Sequence, residues 1–335
     1  MGNVQSCALA SISACSAYFV YVHIYRSHKL LKTNELDYNK LPSFAYLYLK
    51  YLSKAVARRK GHFRATNRCG VFYTIVHCRL DTRLLRRFCS AAGYGWDYPD
   101  SEFRDLPLCF PEFLCSRLLL MVLTDGQFGL SPAGLRRLRQ TLRTFEPVDE
   151  LKKGPFTLQA GSSDLPTNGG SVWRWISACL PTSRTGSLVW ESVLTLVSQD
   201  KQQGSSRSQP SAEMDEPDPE DAKRVELRVP RTADLPGLWS VSQYSPCLLL
   251  SLPARLLGFT SPSLWMLSVC LAEIEKHKGV KVITAPVSIS ARFKHPPSLP
   301  RRVTIQFGES TNNVRFHMRH HGGDTPHVTG LISRS

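Results

Sequence analysis

Ser242 to His277 is the stretch whose residue types and spacing are best placed for chemistry, reading S-Q-Y-S-P-C-L-L-L-S-L-P-A-R-L-L-G-F-T-S-P-S-L-W-M-L-S-V-C-L-A-E-I-E-K-H. A turn holding Gln243, Tyr244, Ser245 and Pro246 leads into a short apolar helix ending near Gly258. A second apolar helix follows from Pro262 and carries Trp265 and Met266. Two buried helices in an otherwise strand-like half imply a sheet wrapped around a helix. Other reactive groups are less well arranged. The ten cysteines are scattered, with no C-x-x-C, a pattern of reduced, buried thiols in a cytosol-facing chain rather than a disulfide framework. His317, His320 and His321 cluster, but on a strand adjacent residues point to opposite faces, so a solvated edge strand is expected there. Neither a metal nor a cofactor is expected.

The elements that must hold this stretch are legible in outline. At 335 residues and 42% hydrophobic content the chain can bury a large core in one large or two medium domains. Phe72–Arg79 reads as a strand, rich in β-branched and aromatic residues. From about Pro111 an apolar helix runs to Thr124, with proline tolerated in its first turn, and its all-round apolarity marks it as buried. Leu151–Gln159 and Ser187–Gln199 supply strands; in the latter Glu191, Val193 and Thr195 alternate with Trp190, Ser192 and Leu194. Between them, in Gly161–Gly186, G-S-S-D-L-P-T-N-G-G is turn-forming and only Val172–Cys179 offers apolar content, so either a strand there is short or the chain is locally irregular. Lys201–Asp221 is polar, with Glu213, Asp215, Glu216, Asp218, Glu220 and Asp221 close together, and is expected to be a disordered linker. Extended stretches then follow at Val225, Lys281–Phe293, Arg302–Phe307, Val314–Met318 and His327–Ile332.

The net charge of +15 is concentrated near the amino terminus. From Asn3 to Tyr25 there is no Asp, Glu, Lys or Arg. A helix over Cys7–Tyr25 would be about 28 Å long, enough to cross a hydrocarbon core. Arg26, Lys29 and Lys32 follow at once and would hold the downstream chain on the cytosolic side. A second reading uses the same residues: Met1 to Ser6 fits the N-myristoylation pattern through Gly2, with Cys7 placed for palmitoylation. A merely buried helix is the third. Further on, Tyr38, Phe44, Tyr46, Tyr48 and Tyr51 are interleaved with Lys54, Arg58, Arg59 and Lys60. Beside an apolar anchor this mixture suits anionic headgroups, with Tyr25 and the later tyrosines at the interface, better than it suits nucleic acid. Membrane lipids are therefore expected as partners and nucleic acid is not.

Two groups of residues resemble the MaoC-like acyl dehydratases, the family of the (R)-specific enoyl-CoA hydratases. The first runs through Leu106-Pro107, Phe110-Pro111, Met121, Leu123-Thr124-Asp125, Phe128, Gly134-Leu135 and Leu138-Arg139. The second is Tyr244, Pro246 and Ala254-Arg255-Leu256-Leu257-Gly258-Phe259, with Phe293-Lys294, Pro296 and Leu299-Pro300 beyond. The resemblance covers about Leu106 to Ile332 and implies an α+β double hotdog, two antiparallel sheets each wrapping a central helix. With the amino terminus added, the expected organisation is a membrane anchor over 1–33 and a basic aromatic juxtamembrane segment over 34–68. A first lobe follows over 69–200, the acidic linker over 201–222 and a second lobe over 223–335.

Hydratases of this family need a carboxylate and an imidazole to position and deprotonate water, and a backbone N–H to hold charge on the thioester oxygen. When the resembling residues are aligned, the Asp position is Gln243, the Asn position Ser245 and the His position Leu248. Glutamine is no base at neutral pH and leucine carries no proton to exchange. The start of the second helix, Pro262-Ser263-Leu264-Trp265, also lacks the family's glycine. His277 and His295 are poorly placed to substitute. Tyr244, Pro246, Leu249, Trp265 and Met266 either line an acyl pocket or fill core. The expected function is that of a membrane-anchored, non-catalytic acyl-thioester (acyl-CoA) binder or scaffold, as monomer or homodimer. The rivals are a hydro-lyase of fatty-acid metabolism using other groups, and a lipid-surface adaptor acting through the basic amino-terminal segment.

Overall fold

The computed structural model describes residues 11, 13–14, 17–18, 20–57, 70–94, 105–128, 135–164, 173–181, 186–198, 222–229, 263–294, 302–310, 313–323 and 325–334. Its helices are α1 (Arg26–Leu30), α2 (Phe44–Ala57), α3 (Thr82–Ala91), α4 (Phe110–Leu114), α5 (Ser116–Thr124) and α6 (Ser263–Lys278). Its strands are β1 (Glu35–Asp37), β2 (Phe72–Cys78), β3 (Leu135–Thr144), β4 (Phe156–Asp164), β5 (Trp173–Pro181) and β6 (Leu188–Ser198). After them come β7 (Lys223–Arg228), β8 (Val287–Phe293), β9 (Arg302–Ser310), β10 (Asn313–His320) and β11 (Pro326–Arg334).

All eleven strands join one sheet in the order β1-β2-β4-β5-β6-β3-β8-β11-β10-β9-β7. Every pairing is antiparallel except β1 with β2. The seam between the two halves is β3 against β8, with Leu142 opposite Ile289 and Thr144 opposite Val287. There the Val287 N–H donates to Thr144 Oγ1 at 3.1 Å, a buried side-chain clasp added to the ladder. Cross-strand partners share a face. Leu142, Ile289, Ile332 and Val314 therefore form one inward row across the seam, and α4–α5 and α6 lie on that same side.

The second half follows its sequence closely. β8 reads V-S-I-S-A-R-F and alternates strictly between buried and half-buried, as a strand with one wet face must. In α6 every residue from Ser263 to Glu275 is buried except Leu264, so it shows no polar stripe. The helix ends at Gly279, whose φ of 84° is cheap only for glycine, and Lys276, His277 and Lys278 sit against the negative end of its dipole. Opposite α6, Gly330 of β11 lies beneath the ring of Phe316, where a Cβ would come within 2.2 Å of it.

The first half departs from its sequence in four places. The boundary drawn at residue 68 cuts through the folded body: β1 pairs in parallel with β2, and α2 packs on α5. Leu47, Tyr48, Tyr51 and Ala55 form the buried stripe of α2, at helical spacing. Tyr48 and Tyr51 are thus core residues, not interfacial ones, and burial drives the Tyr51 hydroxyl pKa upward. The Lys54 ammonium donates to the Asp125 carbonyl at the end of α5, and Tyr73 Oη donates to Asp125 Oδ2 at 2.6 Å, so α2 is tied to that helix end. Gly161–Gly186 is more regular than its composition suggests, since β4 runs to Asp164 and pairs with β5 from Trp173. Leu151 belongs to a 3-10 turn, Val148–Lys152, and the strand begins only at Phe156. In the second half β10 is no edge strand: it lies between β11 and β9, and β7 is the edge.

Among the described residues no helix is long and apolar enough to cross a membrane. Val20–Tyr25 is a π-helical turn leading directly into α1. The proposed acidic linker, 201–221, lies outside the described residues, as do Gly2 and Cys7.

Candidate functional site

Of the residues singled out for chemistry, Gln243, Tyr244, Pro246, Leu248 and Leu249 lie outside the described residues, with Ala254–Phe259 and His295. Trp265 and Met266 are described, in the first turn of α6, and both are buried. Trp265 Nε1 donates to the Ala91 carbonyl at 2.9 Å, which pins the start of α6 to the last turn of α3. That helix forms because Asp81 caps it, accepting from the Arg83 and Leu84 N–H groups, and it turns Leu85, Phe88 and Cys89 inward. Trp265 is therefore an anchoring side chain. His277 is twelve residues further along α6, about 18 Å by helical rise. It stacks on Phe307 with ring centroids 5.9 Å apart and lies 3.9 Å from Glu273, far from the helix start where an imidazole would be needed.

The starts of the two central helices meet across the interior. Cys109, immediately before α4, is in hydrogen-bonding contact with Ser268 on α6, whose Oγ donates to Leu264 O at 2.7 Å. Burial, reinforced by Glu112, pushes the Cys109 thiol up to about 12. Burial does the same to Cys78 and Cys89, and drives Cys270 higher still. All four thiols are buried and outside any disulfide. At neutral pH they are protonated and unreactive, the behaviour of packing residues.

Beside Cys109 is a polar cluster that the sequence reading missed. Glu112 on α4 is 1% exposed. Its carboxylate meets Arg137 Nη2 at 2.7 Å, accepts from Gln140 Nε2, and lies 3.5 Å from Ser192 Oγ. Gln140 and Ser192 face inward by ordinary strand alternation on β3 and β6. Arg137 does so because the β3–β6 register shifts between Arg137 and Arg139; the bulge re-aims the guanidinium into the core. One further bond joins Arg137 Nη1 to Gln140 Oε1 at 2.9 Å. Charge is matched by charge, so the cluster is a buried ion pair flanked by two polar side chains at the head of the first-lobe helix. A single acid in an otherwise apolar helix, P-E-F-L-C, was the available signal, since a buried carboxylate requires a partner.

A second carboxylate device orders the entry to α4. Asp105 accepts from the N–H groups of Leu106, Asp149 and Val148, and Asp149 also accepts from Leu106. Burial, then the neighbouring Asp149 charge, raise Asp105 from 3.8 to about 6. A folded pKa above the unfolded one gives stability that is full below 3.8 and is lost as pH rises through about 6. Thermal melts of Asp105→Asn against pH are expected to lack this decline between those values; superimposable pH profiles for the two proteins would exclude it.

The starts of the two helices thus offer packing, a buried ion pair and unreactive thiols. Among the described residues no cluster of three His, Cys, Asp or Glu could hold a metal.

No protein-family model and no curated protein matches the sequence. Solved structures do match the fold. A MaoC-like dehydratase from Phytophthora capsici superposes with a TM-score of 0.58 at 16% identity, over 80% of this chain and 96% of the other. HtdX from Mycobacterium tuberculosis gives 0.55 at 17% identity, over 78% and 99%. The peroxisomal multifunctional enzyme type 2 of Drosophila melanogaster gives 0.55 at 12%, over 79% of this chain and 48% of the larger protein. Two helices on one face of an antiparallel sheet, joined at a β3–β8 seam, are therefore the fold of the MaoC-like dehydratases.

Proposed function

We propose that the protein is a membrane-anchored, cytosol-facing binder of acyl thioesters that does not hydrate them. One observation carries this reading: within a MaoC-like fold, the positions aligned with the hydratase acid and base are Gln243 and Leu248. An amide cannot take a proton from water at neutral pH, and a leucine offers no proton to the α-carbon. Binding needs neither group. Tyr244, Pro246, Leu249, Trp265 and Met266 supply the apolar and aromatic surface that would hold an acyl chain. Anchoring is supported by the uncharged run from Asn3 to Tyr25 and the cations Arg26 and Lys29 that follow it.

The test uses the full chain in detergent or nanodiscs with crotonyl-CoA and longer 2-enoyl-CoAs. Saturable binding of the longer thioesters is expected, read by calorimetry or a rise in Tm, with no hydration above the uncatalysed rate. Turnover by the purified chain assigns it instead to the hydro-lyases. Absence of both binding and turnover removes thioesters from its function.

A further inference from the structure

Nine large apolar side chains are substantially exposed among the described residues, and seven of them belong to two touching segments. Five fall between Tyr18 and Tyr25, where Tyr21 and Tyr25 stack at 5.7 Å. The other two, Leu49 and Val56, are seven residues apart on α2 and so share its outer face, opposite the buried stripe of Leu47, Tyr51 and Ala55. The two segments are held together by polar contacts. His23 Nδ1 lies 3.0 Å from Ser43 Oγ, His28 Nδ1 lies 3.0 Å from Tyr46 Oη, and the Ser43 N–H donates to Ser27 Oγ at 2.8 Å. These contacts hold the apolar residues outward on a body that is itself locked to α5.

Cations border the patch. Arg26, Lys29 and Lys32 are exposed beyond Tyr25. Exposed tyrosines, aliphatic side chains and a basic margin suit the headgroup boundary of an anionic bilayer, where apolar groups sink about 5–10 Å and cations meet lipid phosphates.

We infer that the outer face of α2 and the Val20–Tyr25 turn together form a docking face for an anionic lipid bilayer, so that the folded body lies against the membrane. This rests on the membrane reading above and adds the surface and the lipid chemistry. The occupant is the bilayer because of the basic margin; a second copy of this chain would bring the same cations against themselves.

The full chain is tested on phosphatidylserine–phosphatidylcholine vesicles, with Leu49→Glu/Val56→Glu as the variant, its fold checked by circular dichroism. A benzophenone side chain is placed at position 56, and at Thr141 on the outer sheet face as a control. Wild-type partitioning is expected to fall with added salt, and the variant to bind roughly tenfold more weakly. Lipid adducts are expected at 56 and not at 141. If the variant binds like wild type and 56 forms no lipid adduct, the amino-terminal segment anchors alone and the inference fails while the membrane reading stands. If wild type binds no vesicle, the membrane reading itself fails. Adducts at 56 to another copy of the chain, with a dimer lost in the variant, would overturn the inference in favour of self-association.

Discussion

Glu112→Leu is expected to lower the free energy of unfolding by about 3 kcal/mol, although it replaces a charge with a core-like side chain of similar size. The loss comes from what is left behind. Arg137 is aimed inward by the β3 bulge, its side chain is 13% exposed, and it would retain only Gln140 as a partner. That residual exposure places the cost at the low end of the roughly 3–5 kcal/mol seen for a broken buried pair. Arg137→Met should be similarly costly, because it strands a carboxylate that is 1% exposed. The double variant Glu112→Leu/Arg137→Met should recover most of the loss, since removing both ions also removes their desolvation penalty. Urea denaturation of the four proteins at pH 7 measures the cycle. A double variant no more stable than the worse single would mean that the pair is not the unit of stability. With domain stabilities of about 5–15 kcal/mol, a loss of this size is also large enough to reduce the amount of folded protein in cells.

That cluster shows where sequence reading ends. The lone acid in P-E-F-L-C is visible in the chain, but its partners lie 25, 28 and 80 residues away and are chosen by sheet order and a bulge. Neither is a local property. The same bulge hid β3, because L-R-R-L-R-Q-T-L-R-T breaks its alternation between Arg137 and Arg139 and turns a cation, Arg137, toward the dry face. By contrast β8 and β10 are readable because each buries its apolar residues at period 2, and α6 because its long run is apolar nearly all round. The tyrosines of α2 were misplaced for a related reason. Aromatic and basic residues mix both on a membrane face and on a helix whose tyrosines face inward while its lysines reach its rim. Only the partner surface, α5 with Asp125, distinguishes the two. Gln243 and Leu248 are legible only in the sequence, since they lie outside the described residues, while the structure adds the anchoring of Trp265 to Ala91.

The position of the first-lobe helix depends on one indole. Trp190 of β6 is fully buried, and its Nε1 donates at 3.0 Å to the carbonyl of Leu108, the residue before Cys109 and two before α4. Trp190→Ala is expected to cost about 3–5 kcal/mol through the lost burial and the cavity left behind. Trp190→Phe should keep most of the apolar contact and remove the donor, leaving Leu108 O buried without its partner at a cost of about 1–3 kcal/mol. The two variants therefore separate packing from hydrogen bonding at one site, read from urea midpoints at constant m. A Phe variant as stable as wild type would show that the bond to Leu108 contributes nothing. A Phe variant as poor as the Ala one would show that the bond, not the ring, fixes the chain at Leu108. The intermediate result is expected, because the indole is wedged between sheet and helix while its N–H meets a carbonyl that no helix hydrogen bond satisfies. Since Leu108 leads directly into Cys109 and Glu112, the Phe variant should also weaken the Glu112–Arg137 coupling measured by the double-mutant cycle, whereas a substitution on the outer sheet face, Thr141→Ala, should leave it unchanged.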